Sequence, residues 1–350
     1  MKHIVTLAVM ATLMLTFAAC TEKETDEPKP ETVVSPNPRY MAAANGKLYV
    51  SCYNPSSVIR IDTATHSVEA VCRLGDYNPE GVAIAGDRLF VASSWIQEEN
   101  GNTLYDSAVY VIDLATFSVL QTVKVGLNPD RLRAVDDRYV VVGCNGNYGD
   151  RAADSYIIDA TTLDARRTGI NMTSLCTYNG LVYAYSSPHY GSPDVTFLTL
   201  DPVSLDADTI MRGCDIAMPF GIDVIEGDVY VTTADIMSAT GEVHRFAPSG
   251  TRVWRSETGI YTSRTAALGD GTAYVLNQGA WSANDASLDR INLGDGTVQR
   301  NVFAAANKRG LGDIAQDILV YGSKAYVTVT FSNSIETVSL ADNTSVRIAL

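Results

Sequence analysis

The sequence predicts an all-β chain folded as a seven-bladed β-propeller of four-stranded antiparallel blades, and three observations predict it. First, a short turn followed by a β-branched, mostly aromatic-bearing run recurs seven times: NGKLYV (45–50), AGDRLFV (85–91), DDRYVVV (136–142), NGLVYAY (179–185), EGDVYV (226–231), DGTAYV (270–275) and YGSKAYV (321–327). The spacing over residues 39–350 is about 45 residues, the length of a four-stranded propeller blade. Second, every unit carries a further hairpin, among them VIRIDTATHSVEAV and VYVIDLATFSVLQTV. Third, no stretch sustains a long helical period, whereas short alternating runs bounded by turn residues appear throughout.

The elements follow in order. Residues 1–19 begin with a short basic start and continue as an apolar run from Ile4 to Ala19, too short for a comfortable membrane span and laid out as a secretory signal. Residues 20–38 begin at Cys20 and carry five acidic and two basic residues up to Glu31, with little to bury, so they read as a tether. Residues 39–350 form the propeller, with strands lettered a to d from the axis outward. Asp62 and Asp113 close strand c and are expected to organise the c–d turn through their side-chain oxygens. Asn-Pro at 78–79 and 128–129 is expected to halt strand d and send the chain back to the axis, a scaffold role. The last unit holds enough strands to supply its own outer strand.

Counting back nine residues from the recurring aromatic, or its equivalent, places Tyr40, Gly81, Arg131, Ser174, Gly221, Thr265 and Asp317 in one row of the a strands. The next row, Met41 to Ile318, is apolar and includes Ala266; it is expected to pack between blades. The flanking mixed rows then face the channel, and with them Arg131, Arg133, Asp223 and Asp317, either as a charged floor to a binding cup or paired with one another.

Loop length separates the two ends of the ring. The a–b and c–d turns are short, while several b–c loops are long and unequal, which marks the b–c face as the functional one. Those loops hold Tyr53, Trp95, Tyr105, Tyr148, His189, Tyr190, Trp281 and Phe331, interleaved with Gln97, Asn145, Gln278 and other amides. Aromatics among amides suit a large, polar ligand with apolar flanks.

The formal charge of −14 argues against a nucleic-acid partner. Beyond Cys20, the cysteines at 52, 72, 144, 176 and 214 show no CxxC spacing, so neither a zinc site nor a disulfide framework is expected, and several read as small buried hydrophobes. No GxSxG or HExxH pattern is present, so no catalytic residue and no cofactor is expected; the competing reading is an enzyme using Glu80, Asp130 and His189.

Four resemblances add to this reading. The FAAC junction at 17–20 resembles a bacterial lipoprotein box, which implies that Cys20 is lipidated; the alternative is an ordinary signal peptide with an incidental cysteine. An acidic run behind such a cysteine resembles the surface-export signal of Bacteroidetes lipoproteins, implying an outer-membrane anchor facing the exterior rather than the periplasm. VYVIDLATFSVLQTVKVGLNPD (109–130) and VIRIDTATHSVEAVCRLGDYNPE (58–80) resemble the YVTN, or YncE-like, propeller repeat, and the likeness extends over 39–350, although the last three blades lose the Asp-Ala-Thr turn. Architecture, anchor and length together resemble the BtuG-type lipoproteins. That resemblance implies capture of cobalamin or another corrinoid and its delivery to a TonB-dependent outer-membrane transporter; capture of a siderophore or glycan, or a lyase or lactonase activity, is the alternative. On the corrinoid reading Trp95, Tyr148, Tyr190 and Trp281 would cover the ring, and Arg131, or Arg39 and Arg264 from the d–a loops, would meet its phosphate.

Overall fold

The computed structural model describes residues 35–98, 100–187, 192, 194–213, 215, 216, 218–235 and 240–350. They form seven separate four-stranded sheets, each with its strands in chain order and every pairing antiparallel. The fold is therefore the seven-bladed propeller that the repeat spacing predicts. The inner strands are Pro38–Ala44, Pro79–Ala85, Pro129–Val135, Ser174–Tyr178, Pro219–Ile225, Thr262–Ala267 and Ala315–Tyr321. One short helix, Val302–Asn307, interrupts the all-β pattern where blade six passes into blade seven, and it buries Val302 and Phe303.

The core is divided as the ring requires. Seven apolar clusters lie at the seven blade boundaries, because each twisted sheet has two faces to bury and finds a neighbour on each side. Met41, Val82, Leu132, Leu175, Ile222 and Ile318 each enter one of these clusters, as the apolar row predicts. Cys52, Cys72, Cys144 and Cys176 are free and buried, and Cys52 and Cys144 end strand b at corresponding positions of blades one and three.

The c–d turns are built by the side chain that closes strand c. Asp62 accepts from the N–H groups of Ala64 and Thr65 at 2.9 and 2.7 Å, and Asp159 from those of Thr161 and Thr162 at 2.8 and 3.1 Å. At Asp201 the N–H groups of Ser204 and Val203 hold the carboxyl below its ordinary range. The Asn-Pro reading needs correction. Strand d of blade one ends at Arg73 and that of blade two at Lys124, several residues earlier, and each proline opens strand a of the next blade. A proline is tolerated as the first residue of a strand because no ladder bond is lost there.

Closure uses no borrowed strand. Blade seven completes itself with Ser345–Ala349 and meets blade one through Tyr326, Ile335 and Ile348 packed on Met41, Val50 and Ile59. Hydrogen bonds then tie the ends of the ring together: the Thr328 hydroxyl donates to the Arg39 carbonyl at 2.6 Å, and the Met41 N–H donates to Asp317 at 3.1 Å.

Candidate ligand-binding site

One backbone device places the site. In six of the seven inner strands the register against strand b slips just after the strand begins, between Pro38 and Met41, Pro79 and Val82, Pro129 and Arg131, Pro219 and Ile222, Thr262 and Arg264, and Ala315 and Asp317. A bulge of this kind re-aims a side chain that would otherwise alternate with its neighbours. The re-aimed residues include Arg39, Glu80, Asp130, Phe220 and Gln316, and all five line a single cavity of about 410 Å³ at the channel mouth. The long hairpins supply its walls through Trp95, Tyr105, Asn145 and Tyr148.

Two ion pairs line the cavity. Arg39 Nε lies 3.1 Å from Glu80, and its Nη1 donates to Gln316 Oε1 at 2.7 Å. The Arg39 guanidinium also stands 4.8 Å from the centre of the Tyr53 ring, whose hydroxyl donates to Glu80. Glu80 is only 4 % exposed, and burial pushes its carboxyl above the ordinary value against the pull of Arg39, while the charge of Asp130 adds to the rise. Arg131 meets Asp130 at 2.9 Å, and Asn145 Nδ2 donates to the same carboxylate at 3.3 Å. The charges of Arg39, Glu80, Asp130 and Arg131 cancel, so the mouth is highly polar with no net charge. Amides continue the network: Gln316 donates to the Tyr40 hydroxyl at 3.0 Å, and Gln278 donates to Gln316 at 3.1 Å.

Two further spaces adjoin the cavity. A compartment of about 640 Å³ between blades three and four shares Asp130, Arg131, Asn145 and Tyr148 with it. Below, the channel narrows to a space of about 40 Å³, and Tyr40, Arg131, Phe220 and Gln316 belong to both sides of that constriction.

The channel charges form their own cluster. Arg264 bridges Asp223 and Asp317 at 3.1 and 3.5 Å. Asp223 accepts from the N–H and hydroxyl of Thr265 in the next blade at 2.9 and 3.1 Å, and Asp317 accepts from Met41 N–H, again one blade on. Burial pushes Asp223 up to about 7 and Asp317 to about 6, with the positive charge of Arg133 opposing the rise in both.

Several expected positions change. Arg264 sits in strand a of blade six and not in a d–a loop, and its guanidinium is spent on the two channel carboxylates. The cause is the a–b turn of that blade, which spans 268–271 where blade one has only 45–46, so a fixed count from Tyr274 lands one residue late. Thr265 therefore takes the inter-blade position opposite Val275, and Arg264 takes the channel position. Arg39 likewise belongs to strand a of blade one, and the bulge turns it into the cavity. Trp95 lies on an extended hairpin, directly across from Tyr105, rather than on a loop. Tyr53 packs edge-on against Trp95 at 5.9 Å. Trp281 and Phe331 pair with each other at 4.5 Å above blades six and seven, and neither lines the cavity. Arg131 and Arg133 both reach the channel constriction. His189, Tyr190 and Cys20 lie outside the described residues.

Sequence reasoning missed Gln316, Phe220, Ser94 and the direct part of Asn128 in the site. Asn128 belongs to the Asn-Pro element read as scaffold, yet it lines the cavity with a left-handed φ of 59° and accepts the Ser94 hydroxyl at 2.5 Å. The available signal was the residue after the repeated proline, which is Arg39, Glu80, Asp130 and Phe220 in four blades.

Fold and site together define a closed seven-bladed propeller with a polar, aromatic-walled cup at one end of its plugged channel. No protein-family model and no curated protein matches the chain. Among solved structures it is similar to the β-propeller domain of Cps50 (Swd1) from Myceliophteria thermophila, with a TM-score of 0.59 at 10% identity over 89% of this chain and 95% of that one. It is also similar to the computationally designed Ika8 protein, with a TM-score of 0.54 at 9% identity over 86% and 95% of the two chains. At such identities the likeness is one of fold.

Proposed function

We propose that this chain is a YncE-like surface lipoprotein of the BtuG type that captures a small-molecule nutrient in the cup. The best candidate is cobalamin or a related corrinoid, handed on to a TonB-dependent outer-membrane transporter. The observation that carries the reading is the composition of the cavity: a charge-balanced floor of two ion pairs, amides from three blades, and aromatic walls. A corrinoid has a broad partly apolar ring fringed by amides, and such a surface demands this mixture of stacking faces and hydrogen-bonding groups. The adjoining compartment, which shares four lining residues with the cavity, offers room for a ligand larger than the central cavity.

Calorimetric titration of the purified chain with cyanocobalamin is expected to give nanomolar or tighter affinity, on the order of −12 kcal/mol. Absence of heat at micromolar concentrations would eliminate the corrinoid and leave the cup with another ligand. Anchoring is tested separately: Cys20→Ser is expected to move the protein from the membrane fraction to the soluble one. A variant that stays with the membrane would reject lipidation at this residue.

A further inference from the structure

Under the cup, the channel space of about 40 Å³ is lined by three arginines, Arg131 and Arg133 of blade three and Arg264 of blade six. Among the described residues no aspartate or glutamate belongs to that lining. The carboxylates that answer these cations are turned to other partners. Asp130, 2.9 Å from Arg131, lines the cup above. Asp223 accepts from Thr265 and Asp317 from Met41, each on a neighbouring blade, and Arg264 reaches both.

Arg133 is the cation left over. Its Nη1 donates to the carbonyl of Leu132 at 2.7 Å, and none of its described contacts is a carboxylate. The charges of Asp223 and Asp317 act on it through space only. Ser174, 6 % exposed, lines the same space, and its hydroxyl has no described hydrogen bond. Arg264 keeps a buried Nε without a partner. Buried donors without acceptors are rare in native interiors, and like charges gathered on one small space repel strongly at low dielectric. Burial also pushes Asp223 up to about 7, so near neutrality its compensation is incomplete. One negative charge placed in the space would offset the repulsion and give the unused donors an acceptor.

We infer that this space holds a single halide ion, in practice chloride, between Arg133, Arg264 and the Ser174 hydroxyl. Size limits the occupant: about 10–15 Å³ of such space takes one water molecule, so about 40 Å³ takes one chloride with a water or two. Charge limits it as well. Asp130, Asp223 and Asp317 offset most of the cationic charge, so a divalent oxyanion would overcompensate. The ion is separate from whatever the cup receives, because Tyr40, Phe220 and Gln316 stand at the constriction between the two spaces.

The test uses the purified full chain, exchanged into chloride-free buffer. Chloride NMR line broadening is expected to report binding in the millimolar range. Bromide should compete, and sulfate at equal ionic strength should compete at least tenfold less well. Arg133→Met keeps the length of the side chain, removes its charge, and should weaken chloride binding at least tenfold. Crystals of the unaltered protein grown with bromide give a check that needs no variant: the anomalous peak is expected in the channel, within hydrogen-bond reach of Arg133 and Arg264. A space holding water only, broadening that a folded Arg133→Met variant leaves unchanged, or equal competition by sulfate would overturn the inference. So would a bromide peak at crystal concentration with no binding in solution at tens of millimolar.

Discussion

Asp317→Ala is expected to destabilise the propeller by about 3 kcal/mol, because it strips a buried hydrogen-bonded charge from the closing boundary of the ring. The Met41 N–H then loses its carboxylate acceptor, 276 residues away in sequence, and Arg264 keeps only Asp223. Asp317→Asn retains an acceptor oxygen and should cost less than half as much. The same carboxylates set a pH dependence whose sign is fixed. Burial raises Asp317 to about 6 and Asp223 to about 7, so the folded chain holds these protons more tightly than the unfolded one. Their contribution to stability is full below about pH 4, the unfolded value, and is lost as the pH rises through about 6 to 7. Urea denaturation across that window should therefore show stability falling with pH in this term, and the double variant Asp223→Asn, Asp317→Asn should remove the slope. An unchanged slope in the double variant would mean that Arg264 holds both carboxylates ionised throughout.

On the proposed corrinoid reading, Trp95→Ala is expected to weaken binding by about 2 kcal/mol, roughly thirtyfold, as loss of a central aromatic anchor does. Trp95 lines the cavity, faces Tyr105 across the hairpin, and packs against Tyr53, whose hydroxyl is held by Glu80. Trp281 stands differently. It is 74 % exposed, is braced by Phe331 and lies outside the cavity lining, so Trp281→Ala should cost roughly threefold or less, in the manner of a rim contact. Sequence reasoning alone gives the two tryptophans equal weight. Calorimetry of both variants decides the matter: a larger loss for Trp281 would move the binding surface to the exposed rim above blades six and seven.

What separates these two residues also separates the legible from the illegible parts of the molecule. Repeat number, strand alternation and the Asp-led turns were readable because each arises within a few residues. Asp62 and Asp201 bond to N–H groups two and three positions ahead, so their role is local and leaves a local mark. The end of the ring that carries the long b–c connections was readable for a similar reason, since unequal loop lengths are a property of the chain itself. Arg131 and Arg133 line the channel constriction, and Asp223 and Asp317 pair with Arg264 of the same lining, at strand positions that a period of two assigns without knowledge of the neighbouring blade.

The floor of the cup followed from register instead. A bulge is one unpaired residue in a ladder, and nothing in the composition of Asn37-Pro38-Arg39 or Asn78-Pro79-Glu80 states which residue will be left over. The same is true of Arg264, whose position turns on a four-residue a–b turn that a constant count overlooks. Above all, the partners of the site come from remote parts of the chain: Arg39 meets Glu80 across 41 residues and Gln316 across 277. The sequence by itself determined seven blades, their strand order and the end of the ring that carries the long loops, because these rest on local propensity and period. Only the tertiary structure decided which side chains converge at the mouth, how their charges cancel and which aromatic residues form walls rather than rim, because closing the ring brings together groups whose separation along the chain carries no information about their distance in space.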